Sequence, residues 1–184
     1  MKPRLRLLLV ALFLSAIAAP GMGAAPEPAN TPKTKLTFVD PEDFTDISIN
    51  GASDRASGDI IFSELGRHLA MLAKRHLASG QTLVVTMHDI DLAGVIEPWR
   101  GPDYGRVRYI RDTHPPRLVF DYQLLDADGQ VVQEGSEKLT NLTFRYQITP
   151  PLGDQTCYFE KQLLTDWMRE RFASAKSAPK RRRE

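Results

Sequence analysis

Residues 118–134 read LVFDYQLLDADGQVVQE. Leu118, Phe120, Tyr122 and Leu124 alternate with more polar neighbours, the period of a strand that buries one face. Asp126-Ala127-Asp128-Gly129 follows. Short Asp side chains bond their own backbone and Gly accepts a positive φ, so the chain turns there. Val131 to Glu134 then returns antiparallel. Strands joined by so short a turn exclude a parallel doubly wound sheet, in which each strand needs a long crossover.

Gln81 to Ile90 is a second strong strand. Leu83, Val85 and Met87 point one way, Val84 and Ile90 the other, and apolar residues on both sides place it centrally. If this strand stays regular, Asp89 and Asp91 continue the Leu83–Met87 face. Leu36, Thr37 and Phe38 form a short early strand closed by Asp40-Pro41, and Arg106 to Asp112 a further one, ended by His114-Pro115-Pro116. Leu142, Phe144, Tyr146 and Ile148 alternate strictly and predict another strand before Pro150, Pro151 and Gly153.

Ile61, Leu65, Leu69, Leu72 and His76 recur at steps of four and three, one stripe of a helix, with Ser57 as its N-cap and Gly80 beyond its end. Phe159, Leu163, Trp167 and Met168 mark a second helix reaching Phe172. The fold expected is α+β in two layers: a mainly antiparallel sheet with two amphipathic helices packed on one face.

Leu7 to Ala19 is a run of thirteen nearly all apolar residues behind Lys2, Arg4 and Arg6, with small residues and Pro20 after it. A charged start, short apolar middle and small-residue exit read as a secretory signal peptide over 1–23. A membrane-spanning helix wants about 20 apolar residues, so no transmembrane segment is expected after cleavage. Residues 24–34, rich in Pro and Ala, are expected as a flexible leader, 35–172 as one domain, and 173–184 as a disordered basic tail. The reading places the protein in the periplasm or outside the cell.

Without Lys2, Arg4 and Arg6 the formal charge falls from +1 to −2, and the last nine residues hold five bases and one acid, so the body carries about −6. A body that acidic argues against nucleic acid, which needs a basic face. Cys157 is the single cysteine, so no internal disulfide forms; beside Tyr158 and Phe159 it reads as a small packed hydrophobe.

Chemistry concentrates in two places. Asp89 and Asp91, with Asp46 or Asp40 from the early turn, form a candidate acidic cluster. Such carboxylates hold a divalent cation or divide acid and base roles; the plainer reading has them capping local backbone. No calcium-loop spacing is present. Four arginines, Arg106, Arg108, Arg111 and Arg117, lie near Trp99, Tyr104 and Tyr109. Arginine forks take carboxylates and phosphates while aromatic faces stack on sugars, so Trp99, Arg108, Arg111 and Arg117 are the candidate ligand-binding residues. The competing reading has these arginines neutralise Asp89, Asp91, Asp112 and Asp121. No nucleophile motif and no HExxH motif occurs, the four His at 68, 76, 88 and 114 lack metal-ligand spacing, and neither a cofactor nor a catalytic residue is indicated.

Phe38-Val39-Asp40-Pro41-Glu42, Phe44-Thr45-Asp46, Asp89-Ile90-Asp91-Leu92-Ala93-Gly94, Arg111-Asp112, His114-Pro115-Pro116-Arg117, Phe159-Glu160-Lys161 and Asp166-Trp167 occur in that order. From about Lys35 to Phe172 the chain resembles the bacterial domain of unknown function 3016 family. The resemblance implies a bacterial exported protein and transfers no activity or catalytic residue.

Three readings follow. The first is a non-enzymatic envelope module that binds a ligand or partner through the Trp99–Arg117 segment. The second is a hydrolase or lyase using Asp89 and Asp91, assisted by His88 or His114 and a divalent cation. The third has the domain associate with itself weakly through an exposed strand edge.

Overall fold

The computed structural model describes residues 31–49, 55–102, 104–146 and 156–172. The segments read as signal peptide and basic tail, and most of the leader, lie outside the described residues. Among those described, no helix is long and apolar enough to cross a membrane.

Four strands form one sheet in the order β1-β2-β5-β6: β1 (Lys33–Phe38), β2 (Thr82–Asp91), β5 (Arg117–Leu125) and β6 (Val131–Thr140). A ribbon of β3 (Val95–Ile96) and β4 (Arg108–Tyr109) stands beside it. β1 starts three residues before the sequence suggests, because Lys33, Thr34 and Lys35 already align with Thr82, Leu83 and Val84. β2, β5 and β6 are antiparallel, as the hairpin requires, whereas β1 and β2 are parallel because a helix connects them. The architecture is α+β, with α1 (Arg55–His76) against β1 and α2 (Tyr158–Phe172) against β5 and β6.

The apolar stripes identified in the sequence face inward. Ile61, Leu65, Leu69 and Leu72 of α1 join Leu83, Val85, Phe120, Leu164 and Met168 in one core. Trp167 meets Phe120 edge-on at 4.9 Å and Tyr122 at 5.3 Å. Gly135 on β6 leaves room for that Tyr122, since a Cβ there would sit 3.1 Å from the ring. The helices also meet each other: Lys161 Nζ reaches Glu64 Oε2 at 2.6 Å, and the His68 ring bonds Thr165 Oγ1 at 2.9 Å. Burial holds the pKa of His68 below its ordinary value.

Three local expectations are corrected. Ser57 does not cap α1 but lies buried inside it. The strand expected over 106–112 shrinks to Arg108–Tyr109. The strand expected from Leu142 is instead a 3-10 turn at Phe144–Tyr146; Ile148 lies outside the described residues. The cause is Asn141, whose Oδ1 accepts the Thr143 N–H at 2.9 Å and the Thr143 hydroxyl at 3.0 Å, turning the chain at once. Among the described members of the alternating set Phe144 is buried, against Phe159, while Leu142 and Tyr146 are exposed.

Candidate functional site

The candidate acids gather around the end of β2. Met87 aligns with Phe120 and Asp89 with Val119, so His88 is an extra residue bulged out of the ladder. The bulge resets the alternation. Ile90 turns inward beside Met87, and Asp89 and Asp91 leave the core face. A regular strand would have put two carboxylates in the core and an isoleucine outside, and buried charge costs several kcal/mol more than it returns when unpaired. The expectation that Asp89 and Asp91 share a face with Leu83, Val85 and Met87 is therefore overturned by one inserted residue.

Outside the core the two aspartates meet the early turn. Asp46 bridges Asp91: its N–H donates to Ile90 O at 3.0 Å and its carbonyl accepts from the Leu92 N–H at 3.2 Å. Asp89 accepts the Thr45 N–H at 2.8 Å and the Thr45 hydroxyl at 3.0 Å. Arg117 stands between the carboxylates, 3.0 Å from Asp89 Oδ2 and 3.5 Å from Asp91 Oδ2. Burial raises the Asp91 pKa, Arg117 opposes that, and Asp46 and Asp89 add to it. Asp89 and Asp91 thus share Arg117, while Asp46, bridged to Asp91 through the backbone, pairs with Arg108 instead. Among the described residues no group of three His, Cys, Asp or Glu side chains is placed to hold a metal ion.

Arg108 closes this network from the other side. Its guanidinium donates to Asp46 Oδ2 at 2.8 Å, Ser48 O at 2.9 Å and Gly94 O at 3.0 Å, with Ala93 O and Leu92 O at 3.3 and 3.4 Å. It clasps the early turn to the bend that enters β3. Beside it opens a cleft of about 400 Å³, lined by Arg108, Ile110, Arg145, Tyr158, Phe159 and Glu160 among others. Arg145 pairs with Asp112 at 3.0 Å.

Glu160, in the first turn of α2, is 2% exposed and accepts the Ala93 N–H at 2.7 Å. Burial holds its carboxyl above the usual range, opposed by the backbone N–H groups and by Arg108. The folded protein therefore binds that proton more tightly than the unfolded chain. Stability from this group is greatest below the ordinary carboxyl range and declines as pH rises through the folded value. Glu160→Gln keeps an acceptor for Ala93 and removes the titration. It is expected to melt above the wild type at about pH 8, with the gap closing towards about pH 4. Melting curves across that range check this, and a gap constant with pH would contradict it.

β3 and β4 carry the loop between them. Glu97, buried at its base, pairs with Arg100 and with Arg111 Nη2, the latter at 2.7 Å. The Arg100 hydrogen bond, then the charges of both arginines, hold the Glu97 carboxyl below its ordinary range against the effect of burial. The Arg100 guanidinium lies over the Tyr109 ring at 4.5 Å and Arg111 at 5.8 Å. The tip is wound tightly. The Gly105 N–H donates to Gly101 O at 2.7 Å, and a Cβ on Gly105 would sit 2.8 Å from that oxygen and 2.9 Å from Pro98 O. On this frame Trp99 is 77% exposed, with Tyr104 and Val107 also open to solvent.

The residues named from the sequence therefore separate into two groups. Arg108 and Arg117 hold the Asp46–Asp89–Asp91 network, while Trp99 and Arg111 belong to the loop. Sequence reasoning missed Glu97, although its i,i+3 spacing to Arg100 was readable. It also missed Glu160, whose burial nothing local announces. His88, Asp121 and Ser136 were missed as a unit: Asp121 accepts the Ser136 hydroxyl at 2.5 Å and lies 2.8 Å from His88 Nε2, and these bonds lower its pKa.

The model of the DUF3016 family, described as proteins of unknown function, matches residues 32–170. The chain belongs to the DUF3016 family. That match takes in the DUF3016 chain from the leader's end through nearly all of α2, so the acid network, cleft and loop all lie within it. No curated protein matches the chain. Two solved structures of the PelC dodecamer from Paraburkholderia phytofirmans are similar to it at 9% identity. One covers 75% of this DUF3016 chain and 82% of its own with a TM-score of 0.37. The other covers 78% and 90% with a TM-score of 0.35. Likeness at that level assigns no activity or assembly to the DUF3016 chain.

Proposed function

We propose that this protein is an exported, non-enzymatic binding module of the bacterial envelope, and that it takes its ligand or partner on the 97–111 loop. Export rests on the N-terminal pattern of the sequence. The observation that carries the binding role is Trp99, 77% exposed on a loop whose base is tied through Glu97 to both Arg100 and Arg111. A large indole held in water on a loop tied at its base gains most when a partner covers it. Trp and Arg are the side chains that most often dominate such contacts. Trp99 and Arg111 touch the ligand in this reading, and Arg108 ties the β4 side of the loop to the early turn and the Gly94 bend. The arginines suit an acidic glycan or a phosphate-bearing surface.

Trp99 reports its own binding, because the other tryptophan, Trp167, is buried. Titrating the protein with acidic glycans, phosphatidylglycerol vesicles and envelope extract is expected to blue-shift the exposed emission. Trp99→Ala is expected to weaken binding by at least about tenfold, a hot-spot effect, with the melting temperature unchanged. A flat response to every addition, or binding that survives Trp99→Ala, would overturn the reading.

A further inference from the structure

We propose that β6 is a dimer edge: two copies of this chain join antiparallel about a two-fold axis at Ser136 and make one continuous sheet. β6 is outermost in the order β1-β2-β5-β6, is ten residues long, and among the described residues no strand pairs with its outer side. An unpaired edge of that length is a template for strand addition.

A groove of about 520 Å³ runs between this edge and α2, lined by Lys138, Leu139, Thr140, Leu163 and Trp167 among others. Trp167 is 3% exposed, and its Nε1–H finds no acceptor among the described residues. Buried donors are nearly always satisfied, so an orphan at the wall of a groove points to something that fills it.

The charges on β6 select the occupant. Val132, Glu134, Ser136, Lys138 and Thr140 share the open face of the sheet, away from the helices. With Ser136 opposite itself, Glu134 of each copy lies opposite Lys138 of the other, two reciprocal pairs of opposite charge. The same register puts Gln133 of one copy opposite Leu139 of the other, at the groove where the indole lacks an acceptor. Centring the axis on Glu134 or on Lys138 instead sets like charges face to face. Charges that blunt an edge against other strands here favour one partner in one register.

Sedimentation equilibrium of the purified full chain is expected to show monomer and dimer. Glu134→Lys and Lys138→Glu should each weaken the dimer by on the order of tenfold, since each turns both pairs into repulsions. The double variant, Glu134→Lys with Lys138→Glu, should restore it. Both side chains are exposed, and unchanged melting temperatures check that every variant folds. Independently, Ser136→Cys should cross-link to itself on mild oxidation, because residues opposed across antiparallel strands fall within disulfide reach; Val132→Cys should not. A chain that stays monomeric at millimolar concentration, a double variant no better than its parents, or a Val132→Cys that cross-links as fast as Ser136→Cys would overturn the proposal.

Discussion

Gly94→Ala is expected to destabilise the protein by about 3 kcal/mol, from two separate causes. Gly94 has φ +82°, a left-handed conformation that costs an L-residue with a Cβ about 1–2 kcal/mol. The added Cβ would also sit 2.4 Å from Tyr109 O, a backbone atom of β4 that cannot swing aside. Relieving that contact means displacing β4 from β3, or giving up the Gly94 N–H bond to His114 O at 2.9 Å and the Arg108 bond to Gly94 O. Forced repacking of this kind costs about 1–3 kcal/mol more. Gly129 supplies the control. Its φ is +80° but nothing lies within 4 Å of its would-be Cβ, so Gly129→Ala carries the conformational cost alone. Urea denaturation of both variants separates the two contributions, and equal losses would show that the close approach at Gly94 is not real.

The second large effect is at Arg108. Its side chain is 19% exposed and bonds Asp46, Ser48 and the Gly94 bend together, while its charge opposes the raised pKa of buried Glu160. Arg108→Ala leaves the half-buried Asp46 carboxylate with only the Ser48 N–H on Oδ1 and takes a donor from Ser48 O and Gly94 O. Removing one partner of a buried ion pair costs about 3–5 kcal/mol, and partial exposure puts this case near the lower end. Arg108→Lys should recover less than half of the loss, because a single ammonium cannot reach acceptors spread around a planar fork. If the clasp is real, Asp46→Asn adds little to Arg108→Ala, since the bond is already gone. Thermal melts of the two singles and the double measure that coupling, and simple additivity would contradict the clasp.

The hairpin was readable because alternation, turn residues and antiparallel return all lie within 118–134, and local signals sufficed. Both helices were readable for the same reason: stripes such as Ile61-Leu65-Leu69 are spaced by the helix itself. The bulge at His88 was not. It exists only as a mismatch between β2 and β5, and the decision to turn Ile90 inward is made by the core rather than by neighbouring residues. The 3-10 turn at Phe144 was misread because strict alternation in 142–148 imitates a strand, while one Asx bond from Asn141 overrode it. Of the site, Asp89 and Asp91 could be named as a pair from their spacing, but whether Asp46 or Asp40 stood beside them could not, because the bridge from Asp46 to Asp91 is made across 45 residues. Their partners Arg108 and Arg117 were named as binding residues and as neutralisers alike, and spacing alone could not choose between the two. Glu160 was invisible, because its position in the first turn of α2 looks like an ordinary surface acid until the cleft is assembled around it.

The binding surface itself is tested most directly by hydrogen exchange of the full chain, with and without the acidic glycan or vesicle that shifts Trp99 emission. Added protection confined to residues 97–111, with β6 unchanged at fixed protein concentration, is the result expected of a ligand held on the Trp99 loop. Protection that appears at the Asp46–Asp89–Asp91 network or along β6 while 97–111 exchanges as before would contradict it.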